Sequence, residues 1–342
     1  MNAIVINRHG GPEVLEPATL PDLRPGPGEV AVRVRACALN HLDLWTRRGL
    51  PGQSVRFPHV LGNDVAGEIL ALGTPVDGLA VGQRVMLSPG TSCGRCVMCL
   101  SGEDSSCRRY RILGYQLPGG YAEQVLCPAA NVIPIPDHVA FEAAAAFPLV
   151  FLTAWRMLVT RARVRPGEDV LVWAAGSGVG MAAVQVAKLF GARVIATAGR
   201  ADKLALARAL GADEVLHHHE ADVPAEVRRL TGRKGVEVVV EHVGEATWER
   251  SILSLAQGGR LATCGATTGP RGHTDLRHLF SKQLTVMGSY MGSKAELLHA
   301  APHFFAGRLR PVVHVTLPLA EARHAHELME ASEHFGKIVL RP

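Results

Sequence analysis

The stretch 170–180, Val-Leu-Val-Trp-Ala-Ala-Gly-Ser-Gly-Val-Gly, narrows the possible folds more than any other part of the chain. Apolar strand formers, Val170 to Trp173, run into a cluster of small residues. A helical pattern comes directly after, with Met181, Val184, Val186, Ala187 and Leu189. Strand, tight small-residue turn and helix form the phosphate-binding opening of a dinucleotide fold. Small residues let the backbone approach a pyrophosphate, and the free N–H groups at the helix start attract the anion. Gly176, Ser177, Gly178, Val179 and Gly180 are the candidate contacts. The turn departs from the G-x-G-x-x-G spacing, with Ser177 where a glycine is expected. Alone it also fits an ordinary loop, and the residues beyond it decide.

Beyond it, strands and helices alternate. Strands are predicted over 194–197, 214–216, 236–241, 261–265 and 284–288. Helices are predicted from the turn to about residue 190, over 201–210 and near 225–230. That order implies a parallel, doubly wound sheet with ligands at the carboxyl ends of its strands. His242 and Val243, after the fourth strand, and Gly265, after the fifth, therefore face the cofactor cleft. The end of the second strand selects the cofactor, because an acidic residue there binds the ribose 2′-OH of NAD. Here Ala198 and Gly199 stand in its place, with Arg200 and Lys203 just beyond. Missing acid plus adjacent cations favours a 2′-phosphate, hence NADP(H). NAD(H) stays open, since Asp202 can pair with either cation. His217-His218-His219 invites a metal, but consecutive strand residues alternate faces. A surface loop accounts for them better.

Residues 1–139 differ in texture. Short strand-like runs at 29–36, 65–72, 84–87 and 122–127 are separated by turn signals such as Pro25-Gly26-Pro27-Gly28. They predict a mostly antiparallel, partly closed β domain. Segment 141–159 is predicted as one helix, acidic at Glu142, with Leu152, Trp155 and Leu158 on one face. The tail, with strands at 312–317 and 337–340 around a helix at 320–331, comes after a helix at 294–305.

Within the β-rich part, Cys93, Cys96, Cys99 and Cys107 have the spacing C-x2-C-x2-C-x7-C. Four thiolates so placed can close a tetrahedron around one Zn²⁺ and leave no open position, so the predicted zinc is structural. The alternative is a set of unrelated buried thiols. Cys37, Cys127 and Cys264 are isolated and expected in the core. No run of eighteen apolar residues exists, so no membrane span is expected. The net charge of +5 is spread out, which suits anionic cofactors and offers nucleic acid no basic tract. The first residues lack a signal-peptide pattern, and a cytoplasmic location is the expectation.

The cysteine lobe, Gly62-Asn63-Asp64-Val65-Ala66-Gly67 and the small-residue turn together resemble the medium-chain dehydrogenase/reductase superfamily, which includes zinc alcohol dehydrogenases and quinone oxidoreductases. The resemblance covers essentially the whole chain. It implies an α/β protein: a GroES-like β-rich catalytic domain (1–139, with a zinc lobe at about 90–110), a Rossmann domain (140–305) and a C-terminal return to the catalytic domain (306–342). It also implies that 141–159 joins the domains beside the nicotinamide. Thr153 is then a cofactor contact or a helix-packing residue. Pairing of the 284–288 strand edge with a second copy implies a homodimer or homotetramer.

Departures from the family decide the chemistry. Its catalytic-zinc ligands fall on Asn40, Asn63 and, near the domain junction, Leu149. Two amides and an alkyl chain make a poor zinc site. His41, His59 and Asp64 leave a rearranged site conceivable. Leu39-Asn40-His41-Leu42-Asp43 resembles the quinone-oxidoreductase branch. Oxidising a simple alcohol removes a proton of high pKa, for which catalytic zinc supplies the acidity. A quinone, enone or reactive carbonyl accepts hydride more readily, and a few hydrogen-bond donors stabilise the developing oxyanion. Asn40 and His41 are the candidate donors. Asp43 and Asp64 would orient a partner, or else serve as turn and capping residues. Trp45 and Gln53 stand where enoyl-reductase relatives carry a tyrosine proton donor, which leaves solvent as the proton source. Pocket size depends on the loop 50–57 and on 110–120. The reading is an NADP(H)-dependent reductase of small electrophiles with one structural zinc. The alternatives are an alcohol dehydrogenase and a dinucleotide-binding sensor or structural protein with little turnover.

Overall fold

The computed structural model describes residues 1–50, 52 and 55–342. The Gln53 position and part of the loop 50–57 lie outside them. The chain divides into two compact units, Met1–Leu149 with Ser293–Pro342, and Val150–Gly292.

In the first unit the elements run β1 (Asn2–Ile6), β2 (Leu15–Thr19), β3 (Glu29–Ala38), α1 (His41–Arg48), β4 (His59–Val60), β5 (Asp64–Leu72), β6 (Arg84–Leu87), β7 (Gly90–Thr91), α2 (Val97–Leu100), β8 (Arg111–Ile112), β9 (Gln124–Pro128), β10 (Val132–Pro134) and α3 (Phe141–Ala145). Helix α4 (Pro148–Trp155) leads into the second unit. It continues with β11 (Asp169–Val172), α5 (Gly178–Leu189), β12 (Arg193–Ala198), α6 (Ala201–Ala209), β13 (Glu214–His217), α7 (Val223–Leu230), β14 (Val236–Glu241), α8 (Trp248–Ser254), β15 (Leu255–Thr263), α9 (Leu276–Ser281) and β16 (Thr285–Gly288). The chain then returns to the first unit with α10 (Lys294–Phe305), β17 (Val313–Pro318), α11 (Ala322–Glu330) and β18 (Lys337–Arg341).

The first unit is built on a mainly antiparallel sheet in the order β10-β6-β5-β3-β18-β17, with β9 also on β3. Strand β3 shows why. Val32 and Val34 are buried while Arg33 and Arg35 point to water, the period-two pattern of a half-buried strand. The C-terminal β18 pairs with β3, so the last residues of the chain complete the sheet begun by the first. A three-stranded sheet, β2-β1-β4, flanks it. This unit takes in α3 and α10, which the sequence reading assigns to the nucleotide domain.

The second unit is one parallel sheet in the order β13-β12-β11-β14-β15-β16. Numbered from its own first strand this is 3-2-1-4-5-6, the doubly wound order. Its central strands are near-continuous apolar runs, as strands covered on both faces must be.

Two local predictions need correction. The helix expected over 141–159 is split. Pro148 opens α4 because it has no N–H to give a preceding turn and it biases Phe147 away from helical geometry. The same segment ends in wider i→i+5 turns over Arg156–Arg161. The strand expected at 261–265 begins earlier, at Leu255, with Gly258 and Gly259 at an irregularity in its pairing with β14. No helix among the described residues is long and apolar enough to cross a membrane.

Candidate functional site

The sulfur atoms of Cys93, Cys96, Cys99 and Cys107 all lie within 4.8 Å of one another. The Cys93–Cys99 and Cys96–Cys99 separations are 3.8 and 3.5 Å. A zinc tetrahedron with Zn–S bonds of about 2.3 Å has edges of about 3.8 Å, so the donor set fits one structural zinc. Helix α2 is one turn long and exposes Val97 and Leu100. Cys37 and Cys127 are buried core residues, as expected, and Cys264 is half-buried.

In the second unit the turn after β11 has the geometry an anion needs. Ser177, the irregular position, is the N-cap of α5, and its hydroxyl accepts the Gly180 N–H at 2.9 Å. A serine here performs the capping role that side-chain oxygens fill at helix starts. Gly178 and Val179 open α5, and their N–H groups have no acceptor within the helix. A Cβ on Gly180 would sit 2.3 Å from the Ala174 carbonyl, which makes that glycine obligatory for close packing of strand and helix.

His242 is nearly buried at the end of β14. Its Nε2 lies 2.9 Å from the Trp173 carbonyl and 3.5 Å from the Ser177 hydroxyl. Burial holds its pKa below the usual imidazole value. Its ring therefore braces the turn that leads into α5. Gly265 lies against the His242 carbonyl, so His242, Val243 and Gly265 come together at adjoining strand ends. Thr153 belongs to a different element, buried on α4. The sequence reading missed Glu241. This buried carboxylate accepts from the Val243 and Gly244 N–H groups and from the Thr247 and Ser251 hydroxyls. It shapes the loop after β14.

At the end of β12, Arg200 is the N-cap residue of α6 and pairs with Asp202 at 2.8 Å. Lys203 is half-buried, and desolvation lowers its pKa. The histidine run is more than a surface loop. His217 closes β13, and His218 Nδ1 lies 3.1 Å from the Thr197 hydroxyl. A Cβ on Gly199 would meet Nε2 of His219 at 2.7 Å and of His218 at 3.0 Å. Two imidazoles thus cover the position where an acid would stand. Burial first, then neighbouring cationic and imidazole groups, push the His218 pKa down to about 4.

Three of the candidate catalytic residues, Asn40, Asp43 and Asp64, are buried side by side in the first unit. Asn40 caps α1, and its backbone N–H donates to Asp43 Oδ2 at 2.8 Å. Asp43 Oδ1 accepts the Gly62 N–H at 2.9 Å. Asp43 therefore welds the start of α1 to the Gly62 turn and is itself fully buried. Burial raises its pKa to about 7, opposed by those two backbone N–H groups and by Lys337. Gly62 has φ +101°, and a Cβ there would strike Tyr121 and the Cys37 sulfur. Asp64 Oδ1 accepts the Leu149 N–H, and Oδ2 accepts the Asn40 side-chain amide, each at 2.9 Å. His41, half-buried, opens α1 with its ring 6.2 Å from that of Trp45.

Lys337 completes the group, and the sequence reading missed it. Its ammonium donates to Asn40 Oδ1 at 2.6 Å and to Asp64 Oδ2 at 3.0 Å, with both charged side chains essentially inaccessible. Asn63 donates to the Leu113 carbonyl, and its Oδ1 is buried without a partner. The three positions where the family's catalytic-zinc ligands fall thus carry two amides and a leucine, and the Asn40 amide and Leu149 N–H contact a carboxylate already paired with Lys337. This donor set does not fit a catalytic zinc. Among the described residues, no second group of three or more His, Cys, Asp or Glu side chains converges.

The chain matches the model of the alcohol dehydrogenase GroES-like domain over residues 26–137 and that of the zinc-binding dehydrogenase over 178–306. It is 34% identical to a quinone oxidoreductase of Pseudomonas aeruginosa, with 98% of this chain and 97% of the relative covered. It is 32% identical to an acryloyl-coenzyme A reductase of Metallosphaera sedula, with 99% of each covered. A solved structure described as an NAD-dependent alcohol dehydrogenase is 52% identical, with 100% of each chain covered and a TM-score of 0.97.

Proposed function

This chain belongs to the medium-chain dehydrogenase/reductase superfamily and is an NAD(P)-dependent oxidoreductase, and we propose that it reduces quinones, enones or reactive carbonyls with NADPH. One observation carries the reading. Where a catalytic zinc would need soft or imidazole donors, the chain has Asn40, Asn63 and Leu149, with the Asn40 amide and the Leu149 N–H held by a buried Asp64–Lys337 pair. Such a site offers hydrogen-bond donors and no Lewis acid. It suits an acceptor that spreads incoming negative charge over its own π system.

The bound nicotinamide would supply the hydride. The Ser177-capped start of α5 would hold the pyrophosphate, with Gly176 to Gly180 as its contacts. The carboxylate-free end of β12, with Arg200 and Lys203 just beyond it, favours a 2′-phosphate. Asn40 would donate to the developing oxyanion and His41 would assist. Asp64 orients Asn40, Asp43 fixes the helix that carries it, and solvent supplies the proton. Cys93, Cys96, Cys99 and Cys107 would hold one structural zinc. Among the described residues β16 pairs only with β15, and Val286 on it and Tyr290 beyond it are exposed, an edge suited to a second copy of the chain.

A second reading, an NAD-dependent alcohol dehydrogenase, draws on two observations. The 52% identical structure carries that description. Arg200, one of the cations offered to a 2′-phosphate, is already engaged by Asp202. Initial rates with NADPH and NADH over quinones, enones, α,β-unsaturated thioesters, aldehydes and alcohols separate the two, with zinc counted on the same sample. The first reading requires one zinc per chain, NADPH ahead of NADH, and conjugated acceptors ahead of alcohols. Two zincs per chain with alcohol oxidation on NAD overturn it.

A further inference from the structure

We propose that Lys337 is a positioning residue for catalysis. With Asp64 it locks the carboxamide of Asn40 in one orientation and so aims an N–H at the reacting oxygen. The inference rests on the reading of Asn40 as the oxyanion donor.

A carboxamide has a chemically distinct end on each side, and a half-turn about its last bond exchanges them. In most sites both orientations cost nearly the same. Here the neighbours have no such freedom. An ammonium only donates, and an ionised carboxylate only accepts. Lys337 Nζ lies 2.6 Å from one end of the Asn40 amide and Asp64 Oδ2 lies 2.9 Å from the other. The oxygen must face the lysine and the nitrogen the aspartate. The reversed amide would set NH₂ against NH₃⁺ and C=O against COO⁻ in a dry site, where unpaired polar groups are costly. Asp64 is held in turn by the Leu149 N–H at 2.9 Å and by Lys337 at 3.0 Å, so the frame is rigid at both ends.

The arrangement leaves one Asn40 N–H over. The amide nitrogen carries two, and Asp64 takes one. Asn40 as a whole is 5% exposed, and we take this second N–H as the one the reacting oxygen meets. Lys337 also withdraws electron density through the amide oxygen, which sharpens the donor at the other end. The lysine reaches this place because Gly336 turns with φ +75°, where a Cβ would strike the Val312 carbonyl at 2.4 Å, and because β18 pairs with the end of β3.

The test is a double-mutant cycle on kcat, read on whichever acceptor or alcohol of the panel the native enzyme turns over. The claim about Lys337 is therefore tested even if the proposed acceptor class fails. Lys337→Met alone buries an unpaired carboxylate and risks misfolding, so it is combined with Asp64→Asn, and melting curves and zinc content confirm an intact fold. Asn40→Ala should lower kcat by about 10²-fold, the usual loss for one oxyanion donor. K337M/D64N should lower it about as much, with KM for the nicotinamide cofactor unchanged within twofold. The triple variant N40A/K337M/D64N should lose nothing further, because the pair acts through the amide. Lys337→Arg, which keeps a cationic donor, should recover activity to within tenfold of native. Multiplying losses in the triple variant, an unchanged kcat in K337M/D64N, or an unchanged kcat in Asn40→Ala would each overturn the proposal.

Discussion

The cysteine lobe and the Asn40–Asp64–Lys337 group lie in the same β-rich unit and handle concentrated charge with opposite materials. The lobe gathers four thiols within 4.8 Å of one another on a half-exposed segment of little apolar content. Such a cluster suits an external cation. The second group lies in the core, and its carboxylate is neutralised by the chain's own ammonium. One region offers donors to a partner from outside, and the other contains its own counterion. A charge at the rim can wait for its counterion, whereas a buried carboxylate must be paired as the chain folds.

Removing the lobe's metal should produce the largest effect. Structural zinc contributes binding free energy on the order of 10 kcal/mol to the segment it closes. Cys99→Ser should release one zinc per chain and lower the melting temperature by about 10 °C or more. Metal analysis alongside calorimetry checks it. A variant that keeps its zinc and its melting temperature would show that the thiols hold the lobe without metal.

Next comes the core pair taken alone. Lys337→Met leaves Asp64 buried and unpaired and should destabilise the protein by about 3–5 kcal/mol, and Asp64→Asn added to it should restore most of that loss. Lys188 and Asp213 form the control. Their pair, at 2.8 Å, is about one-third exposed on each side, and Lys188→Met should cost less than about 1 kcal/mol. If the two lysines cost the same in urea unfolding, the contrast between buried and exposed charge fails.

The two regions also differ in how legible they are in the sequence. The lobe is announced by spacing, because its ligands lie within fifteen residues and metal geometry limits the patterns that work. The alternation after residue 168 is equally local, and it revealed the doubly wound sheet. Lys337 and Asp64 are separated by 273 positions and meet only because β18 returns to β3. Nothing local marks a lysine in a strand as buried; the one signal was an aspartate in a Gly-Asn-Asp-Val-Ala-Gly run that needed a counterion. Pro148 did mark a helix boundary, and the apolar periodicity around it masked the sign. The histidines that cover Gly199 needed the sheet order, since only β12 beside β13 brings them there.

The smallest and most discriminating effect concerns pH, where the core group can be set against its own surroundings. Asp43 has its pKa raised to about 7 from 3.8, mainly by burial. Folding therefore favours its proton, so its contribution is full below about pH 4 and is lost as the pH rises through 7. His326, on α11, has its pKa lowered to about 3 from 6.5 by burial and by Arg47 and Arg48. Its contribution is full above about pH 6.5 and is lost as the pH falls through 3. His326 meets the Tyr121 hydroxyl at 3.0 Å and Arg47 at 3.1 Å, within the same buried core as Asp43. Each group alone changes stability by about 1.4 kcal/mol per pH unit inside its window, and the signs are opposite. Between about pH 4 and 6.5 these two slopes oppose each other, and His218, with its pKa held down to about 4, adds a further slope of the His326 sign. Replacing His326 with Gln keeps a hydrogen-bonding side chain and removes one slope. Relative to the native protein the variant should lose stability steadily from about pH 4 to 6.5, as read by urea midpoints at each pH. A variant whose stability runs parallel to that of the native protein across this range would show that His326 is not held neutral by its burial and by Arg47 and Arg48.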